Sequence, residues 1–298
     1  IPPPPPQVAS PIVFSNPLIS ERVTFRRNAR FTYFYCESLL PESEARSLLA
    51  DFPDELLRRQ ITAEKSHASI SSRSNPDQFQ RILAGSELWS QVAKWFASPI
   101  FIEDVLQCFR EEILARYPWP LRRLIPWYAL RLERYYGEIQ FSLRNPNHVL
   151  SPHTDNADKV LALVIYLPEE ADAVAGGTAF YLPRSPRSEY AVFRRYAQHG
   201  RLIPPRLRAL ASAKLPTVDS ADTQVIQADL DFFDRHFRRD YEAQFRLGAA
   251  GGFIKNQFSW HDLRLGSLPN NSTRRSLLVN IFLRPSKLRT LANMVLRR

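Results

Sequence analysis

The sequence predicts a mainly β protein, an antiparallel sandwich or barrel with helices packed outside it. From about residue 126 onward, short runs typical of strands alternate with turn residues. These runs cover 127–136, 138–144, 149–155, 159–167 and 177–182, and after a long gap 252–257, 259–264 and 273–283. Helical patterns precede this region, and no internal repeat is apparent. Many short strands of this kind are typical of sandwiches and barrels.

The predicted elements divide the chain into a Pro-rich arm over 1–24 and a single domain over 25–298. Its first part, about 25–125, is predicted to be a mainly helical support with a strand at 31–36. The β core is expected at about 126–183 and 247–285. Between these parts, 184–246 is predicted to be a helical insertion, because apolar residues recur there at three- and four-residue steps. They are Ile226, Leu230, Phe233, Phe237 and Tyr241.

The composition is that of a globular protein. The chain has 298 residues, 44% of them hydrophobic and 23% charged, and its formal net charge is +10. The longest apolar run, 160–167, is too short to cross a bilayer, so no membrane span is expected. Cys36 and Cys108 lie in apolar runs and are expected to be buried neutral thiols. No secretory signal is visible, and we therefore expect a cytoplasmic protein.

A histidine followed two residues later by an acid, His153 and Asp155, is the pattern that points to chemistry. On a strand these two side chains share a face, so both can reach one ion. Two histidines and one carboxylate on one face of an octahedral ion leave three positions open, as in non-haem Fe(II) oxygenases. The second histidine must come from another strand, and His261 is the candidate. His-x-Asp alone is a weak signal, because a lone histidine is more often structural.

The last predicted strand, 273–283, carries a basic residue and a hydroxyl on one face. Arg274 and Ser276 project together in one register, and such a pair can bind a carboxylate through charge-assisted hydrogen bonds. The alternate register pairs Arg275 with Leu277, which makes no such pocket. We therefore assign the carboxylate pocket to Arg274 and Ser276.

Together these residues resemble the Fe(II)/2-oxoglutarate-dependent dioxygenases, especially the prolyl-4-hydroxylase-like branch. The resemblance covers roughly 30–285 and rests on five features in the same order. They are His153-Thr-Asp155, the apolar strand at 160–168, Gly176-Gly-Thr-Ala-Phe-Tyr181, His261 and Arg274-x-Ser276. The resemblance implies a double-stranded β-helix, that is, a jelly-roll, cupin-like core. The insertion makes the spacing between His153 and His261 longer than is usual in the family, and we expect it to act as a lid beside the open end of the barrel.

The resemblance also implies the cofactors and their ligands. His153, Asp155 and His261 would bind Fe(II), and 2-oxoglutarate would chelate the iron and place its far carboxylate on Arg274 and Ser276. With O2 as the second cosubstrate, the protein would hydroxylate or otherwise oxidise an unactivated C–H bond and release succinate and CO2. Related halogenases have a small residue in place of the acid, so Asp155 argues for C–H oxidation without halogenation.

Candidate substrate contacts are less specific than the ligands. Asn156 and Trp260 flank the proposed site, as do Tyr135 and Gln140, and barrel packing is the alternative for each. The basic half of the insertion adds a further set, for which a solvated face that neutralises the acidic half is the alternative. This set is Arg194, Arg195 and Arg201.

The expected substrate is a small-molecule metabolite, such as an amino-acid, peptide or sugar derivative, and the basic insertion leaves an anionic one open. A prolyl residue of a protein is the alternative within the same family. A non-catalytic β-barrel binding protein is the alternative from another class. Nucleic acid is not expected as a partner, because the DNA-repair branch of the family has a second arginine six residues after the first, where this chain has Asn280.

Overall fold

A computed structural model describes residues 13–28, 30–62, 66–116, 126–145, 149–156, 158–169, 176–196, 215, 223–256, 258–264 and 273–284. The helices are α1 (Ile19–Arg22), α2 (Glu42–Ala50), α3 (Asp54–Arg58), α4 (Pro76–Gly85), α5 (Glu87–Phe96), α6 (Pro99–Cys108), α7 (Arg110–Leu114), α8 (Pro126–Ala129), α9 (Pro186–Tyr196) and α10 (Thr223–His236). A 3-10 turn spans Leu132–Arg134. In the part of the chain that is described, no helix has the length and apolar character needed to cross a bilayer.

The strands are β1 (Phe25–Asn28), β2 (Thr32–Cys36), β3 (His67–Ser71), β4 (Tyr135–Arg144), β5 (Val149–His153), β6 (Lys159–Tyr166), β7 (Gly176–Pro183), β8 (Phe237–Gln244), β9 (Ala250–Ile254), β10 (His261–Arg264) and β11 (Arg274–Leu283). They form two antiparallel sheets. The large sheet has the order β1-β2-β9-β6-β11-β4-β3, and the small sheet has the order β5-β10-β7-β8.

From β4 to β11 the chain alternates between the two sheets at every step except β7 to β8. The sheets face each other, because Phe180 of the small sheet packs against Tyr33 and Phe253 of the large one. This alternation between two facing antiparallel sheets defines a double-stranded β-helix. The predicted fold is confirmed, and the strands β1, β2 and β3 extend its large sheet at both edges.

Helices α2 to α7 cover the outer face of the large sheet. Strand residues two apart share a face, and Leu277, Val279 and Ile281 of β11 all join the main apolar core with these helices. Ser86 accepts a hydrogen bond from the Trp89 amide at 3.1 Å, which caps the start of α5. Alternate residues of β11, beginning with Arg274, therefore face the interior between the sheets.

The insertion is shorter than predicted. Helix α10 ends at His236, and residues 237–244 form β8, a strand of the small sheet paired with β7. A bulge between the pairs Phe180–Tyr241 and Tyr181–Arg239 breaks the alternation. Phe237 therefore packs on the outer face of β8 and Tyr241 on its inner face. The four-residue spacing of these two aromatic residues also fits a helix, which is what the sequence predicted.

The end of the predicted Pro-rich arm is docked. Ile19 is fully buried, and the Asp104 carboxylate accepts a hydrogen bond from its amide at 2.7 Å. The Trp95 indole donates to the Pro17 carbonyl at 3.0 Å. Residues 1–12 of the arm lie outside the described residues. The last part of the predicted arm therefore packs on α5 and α6.

Gly177 allows β7 and β8 to approach closely, because a Cβ atom there would lie 2.4 Å from the Ala243 carbonyl oxygen. We expect Gly177→Ala to lower the free energy of unfolding by about 1–3 kcal/mol, since backbone must move to accept the methyl group. Gly85, which ends α4, has open space around it. Gly85→Ala is expected to leave stability unchanged or raise it by up to about 1 kcal/mol. Urea denaturation of both variants checks this contrast, and equal losses would contradict it.

Candidate metal centre

His153, Asp155 and His261 come together at one end of the barrel. His153 ends β5 and His261 begins β10, and the two residues are paired across these strands. Their rings lie 4.2 Å apart between centroids. One ligand atom from each of the three residues can be chosen so that all lie within 4.8 Å of one another. The predicted triad is therefore assembled, and its donor set of two imidazoles and one carboxylate suits a divalent iron ion.

Backbone hydrogen bonds hold both imidazoles in the tautomer that a metal requires. Nδ1 of His153 lies 2.9 Å from the Ser151 carbonyl, and Nδ1 of His261 lies 3.0 Å from the Ser259 carbonyl. A carbonyl only accepts, so each Nδ1 carries the proton and each Nε2 keeps a lone pair. The two Nε2 atoms lie 3.7 Å and 4.0 Å from the Asp155 carboxylate oxygens. Three donors thus converge on one point.

The electrostatics of the cluster keep the ligands in their metal-binding forms. Burial, reinforced by His261, lowers the pKa of His153 to about 3, and burial also lowers the pKa of His261. Burial alone would raise the pKa of Asp155, but Lys159 and the two histidines outweigh it and hold that pKa well below its usual range. The Lys159 ammonium lies 3.0 Å from Asp155 Oδ2. Neutral imidazoles beside a carboxylate are the forms that bind metal.

A polar cavity of about 470 Å³ opens beside the triad. Its wall is formed by the inner face of the large sheet, the β5–β6 loop and the segment after β3. The residues that line it are Arg73, Ser74, Glu138, Gln140, His153, Thr154, Asp155, Asn156, Lys159, Asn280 and Phe282. This volume is within the range of small-ligand sites.

Arg274 and Ser276 share the interior face of β11, as predicted. The Arg274 guanidinium is buried, donates to the Gly176 carbonyl of the small sheet and lies 4.0 Å from the Phe245 ring centroid. Arg275 points to the opposite face, where it bonds the Asp54 carboxylate and lies 2.8 Å from Glu169. Arg274 and Ser276 therefore share one face of β11, and Arg275 forms ion pairs on the other.

Arg274 and Ser276 lie some distance along β11 from the level of the triad. Asn280, which lines the cavity, lies four residues beyond Ser276, or roughly 13 Å along the strand. Between these levels Leu278 faces Val164 across β11 and β6, and both side chains are only half buried. Leu278 and Val164 thus separate Ser276 from the level of the triad along the interior face.

Asn156 and Trp260, the two predicted substrate contacts beside the triad, differ in their position relative to the cavity. Asn156 is exposed and lines the cavity. Trp260 does not line it: the side chain is fully buried on the outer face of the small sheet, 5.3 Å from Phe233 and 5.5 Å from Phe237 between ring centroids. The physical reason is strand alternation, because Trp260 and its neighbour His261 point to opposite faces.

Arg194 and Arg195, the two predicted arginines of the insertion that are described, do not line the cavity beside the triad. Helices α9 and α10 pack on the outer face of the small sheet, and Arg195 bonds the Asp229 carboxylate at 2.8 Å. Arg194 is exposed on α9, and Arg201 lies outside the described residues. For Arg195 the neutralising alternative is correct. The part of the insertion that is described contributes no residue to the cavity wall.

Several cavity residues were not predicted as site residues. Lys159 lies four residues after Asp155. Its ammonium is next to the carboxylate because of the path of the loop between β5 and β6, which the sequence does not show. Glu138 and Asn280 face each other across β4 and β11, a pairing that only the strand register reveals. Arg73 lies just after β3, a strand that the sequence did not predict.

Lys255 is fully buried just after β9, and its ammonium donates to the Asn256 carbonyl at 2.8 Å. Burial lowers the pKa of Lys255 to about 7, whereas the unfolded chain keeps its lysines protonated to about pH 10. The unfolded state therefore binds more protons between these values. We expect the free energy of unfolding of metal-free protein to rise between about pH 7 and 10, by at most about 1.4 kcal/mol per pH unit.

Urea denaturation of Lys255→Met tests this expectation, because the variant should lack the rise that the wild type shows. Lys94→Met, at a more exposed position on α5, is the matched control and should keep it. Parallel pH profiles of the wild type and Lys255→Met would contradict the assignment.

Comparison with known proteins gives matches to solved structures alone. No protein-family model and no curated protein matches the chain. EvdO2 from Micromonospora carbonacea var. aurantiaca, solved with 2-oxoglutarate, shows 14% identity and a TM-score of 0.41 over 85% of this chain and 87% of its own. A Pseudomonas putida prolyl-4-hydroxylase shows 14% identity and 0.38 over 86% and 94%. The α-ketoglutarate-dependent epimerase SnoN from nogalamycin biosynthesis shows 13% and 0.40 over 88% and 84%.

Proposed function

We propose that this protein is an Fe(II)- and 2-oxoglutarate-dependent oxygenase that oxidises a C–H bond of a small molecule. The observation that carries the proposal is the convergence of the two Nε2 atoms and the Asp155 carboxylate at the mouth of the double-stranded β-helix. With O2 and 2-oxoglutarate, bound iron supplies oxidising power sufficient for an unactivated C–H bond, with succinate and CO2 as the other products. The cavity volume of about 470 Å³ favours a small-molecule substrate.

The residues of this chain have separate tasks in that reaction. Ser151 and Ser259 orient the two imidazoles through their carbonyls, and Lys159 keeps the Asp155 carboxylate ionised. Arg274 and Ser276 would receive the far carboxylate of 2-oxoglutarate on the interior face of β11. Arg274 then exchanges its bond to the Gly176 carbonyl for a stronger charge-assisted pair.

Succinate formation tests the proposed function. Protein loaded with Fe(II) is incubated with 2-oxoglutarate and O2, together with a panel of amino-acid, peptide and sugar derivatives and a proline-rich peptide. We expect iron-dependent succinate release that a small molecule stimulates and that His153→Ala abolishes. Stimulation by the peptide alone would favour a protein substrate, and succinate release that survives in His153→Ala would refute the site.

A further inference from the structure

Three polar side chains form a patch on the inner face of the large sheet beside the triad. Glu138 of β4 and Asn280 of β11 are paired across the strands, and Gln140 lies two residues along β4 on the same face. Directly paired residues have Cβ atoms about 5 Å apart, so one ligand group can touch both. All three line the cavity that contains His153 and Asp155.

The patch offers acceptors that the protein does not use. Glu138 is 6% exposed and Asn280 is 3% exposed. Asn280 Oδ1 is buried with no hydrogen-bond partner in the described part of the chain. Across the described ranges, Glu138 and Gln140 make neither a side-chain hydrogen bond nor an ion pair. The buried Asn280 oxygen lacks a donor, which is costly, and a ligand that supplies donors would remove that cost and pair with the Glu138 carboxylate that lines the same cavity.

The cations that line the same cavity do not neutralise Glu138. Lys159 is held 3.0 Å from Asp155, and the Arg73 guanidinium lies 5.6 Å from the Phe282 ring centroid. Neither forms an ion pair with Glu138 within the described residues. The carboxylate also repels the two carboxylates of 2-oxoglutarate, so the patch suits a different molecule from the cosubstrate.

We propose that Glu138, Asn280 and Gln140 bind a cationic nitrogen group of the substrate, an ammonium or a guanidinium. Both groups carry several N–H donors and no acceptor, which complements a carboxylate and two amide oxygens. The substrate class is therefore an amine or guanidine compound. This inference rests on the proposed function, because the patch would hold the substrate with its C–H bonds beside the triad.

The test uses the full chain with Fe(II) and 2-oxoglutarate under anaerobic conditions. The probes are Nα-acetyl-L-arginine and Nα-acetyl-L-lysine, whose only cation is the side chain, with Nα-acetyl-L-citrulline and Nα-acetyl-L-norleucine as counterparts of similar shape that carry no cation, and calorimetry gives the dissociation constants. We expect a cationic probe to bind at least about 10-fold more tightly than its neutral counterpart. Glu138→Gln should weaken the cation by about 10- to 100-fold, the loss expected for a charge-assisted hydrogen bond, and leave the neutral probe unchanged.

Glu133→Gln, an exposed carboxylate on the 3-10 turn, is the matched control and should keep the wild-type constants. If Glu138→Gln does not fold, Asn280→Ala replaces it, with a smaller loss of cation affinity expected. Selective binding of the arginine or of the lysine derivative identifies the guanidinium or the ammonium as the group recognised.

Three results would contradict the proposed subsite. The first is that no cationic probe binds at about 10 mM, a concentration well above the Kd of a weak complex. The others are equal affinity for charged and neutral probes, and unchanged affinity for the cation in Glu138→Gln. The visible absorbance of the iron–2-oxoglutarate chelate is recorded in the same wild-type samples. Its absence counts against the proposed function, whereas its presence without cation selectivity counts against the subsite alone.

Discussion

His261→Ala is expected to lower the affinity for Fe(II) by more than about 100-fold and to abolish succinate formation. Changes to groups that only orient a metal ligand already cost about 10- to 100-fold, so removal of a ligand should cost more. The loss leaves His153, which ends β5, and Asp155, which follows it two residues later, so the two remaining ligands come from a single segment. Calorimetric titration with Fe(II) under anaerobic conditions measures the change.

His236→Ala is the matched control for this substitution. His236 ends α10 on the outer side of the small sheet, where its ring packs 4.6 Å from that of Phe232. We expect wild-type iron affinity in this variant. Undiminished iron binding by folded His261→Ala would show that the triad is not the metal site.

Trp89→Ala is expected to lower the free energy of unfolding by about 3–5 kcal/mol, the usual cost of removing a buried large aromatic side chain. Trp89 is 1% exposed at the centre of the helix–sheet core, with its ring 4.7 Å from that of Phe141. Its indole also donates to the Asp51 carbonyl at 2.8 Å, a bond that alanine cannot replace. Urea denaturation measures the loss.

Trp127 provides the comparison, because this side chain on α8 is 68% exposed. Trp127→Ala should change the free energy of unfolding by no more than about 0.5 kcal/mol. Similar losses in the two variants would mean that the helical layer does not pack on the large sheet as described.

The sequence predicted the parts of the site that depend on local geometry. His153 and Asp155 are two residues apart, so an extended chain was expected to place them on one side, and they do lie together although β5 ends at His153. The same alternation separated Arg274 from Arg275, because Leu277, Val279 and Ile281 had to share the apolar face. The fold followed from the order of short strands and from the family resemblance, and β4 to β11 confirm it.

Features that depend on distant parts of the chain were not predictable in this way. The Glu138–Asn280 pair requires the register of two strands far apart in sequence. Arg195 looked like a substrate contact because its partner, Asp229, follows 34 residues later on another helix. Strand β8 was missed because its bulge hides the alternation that identifies a strand.

Anaerobic titration with Fe(II) and then 2-oxoglutarate tests the central claim most directly. We predict one iron per chain and a broad visible charge-transfer band when 2-oxoglutarate is added. The band should be lost in His153→Ala and His261→Ala, and Arg274→Ala should require a higher 2-oxoglutarate concentration to form it. Folded wild-type protein that binds one Fe(II) and shows no band with 2-oxoglutarate would contradict the account.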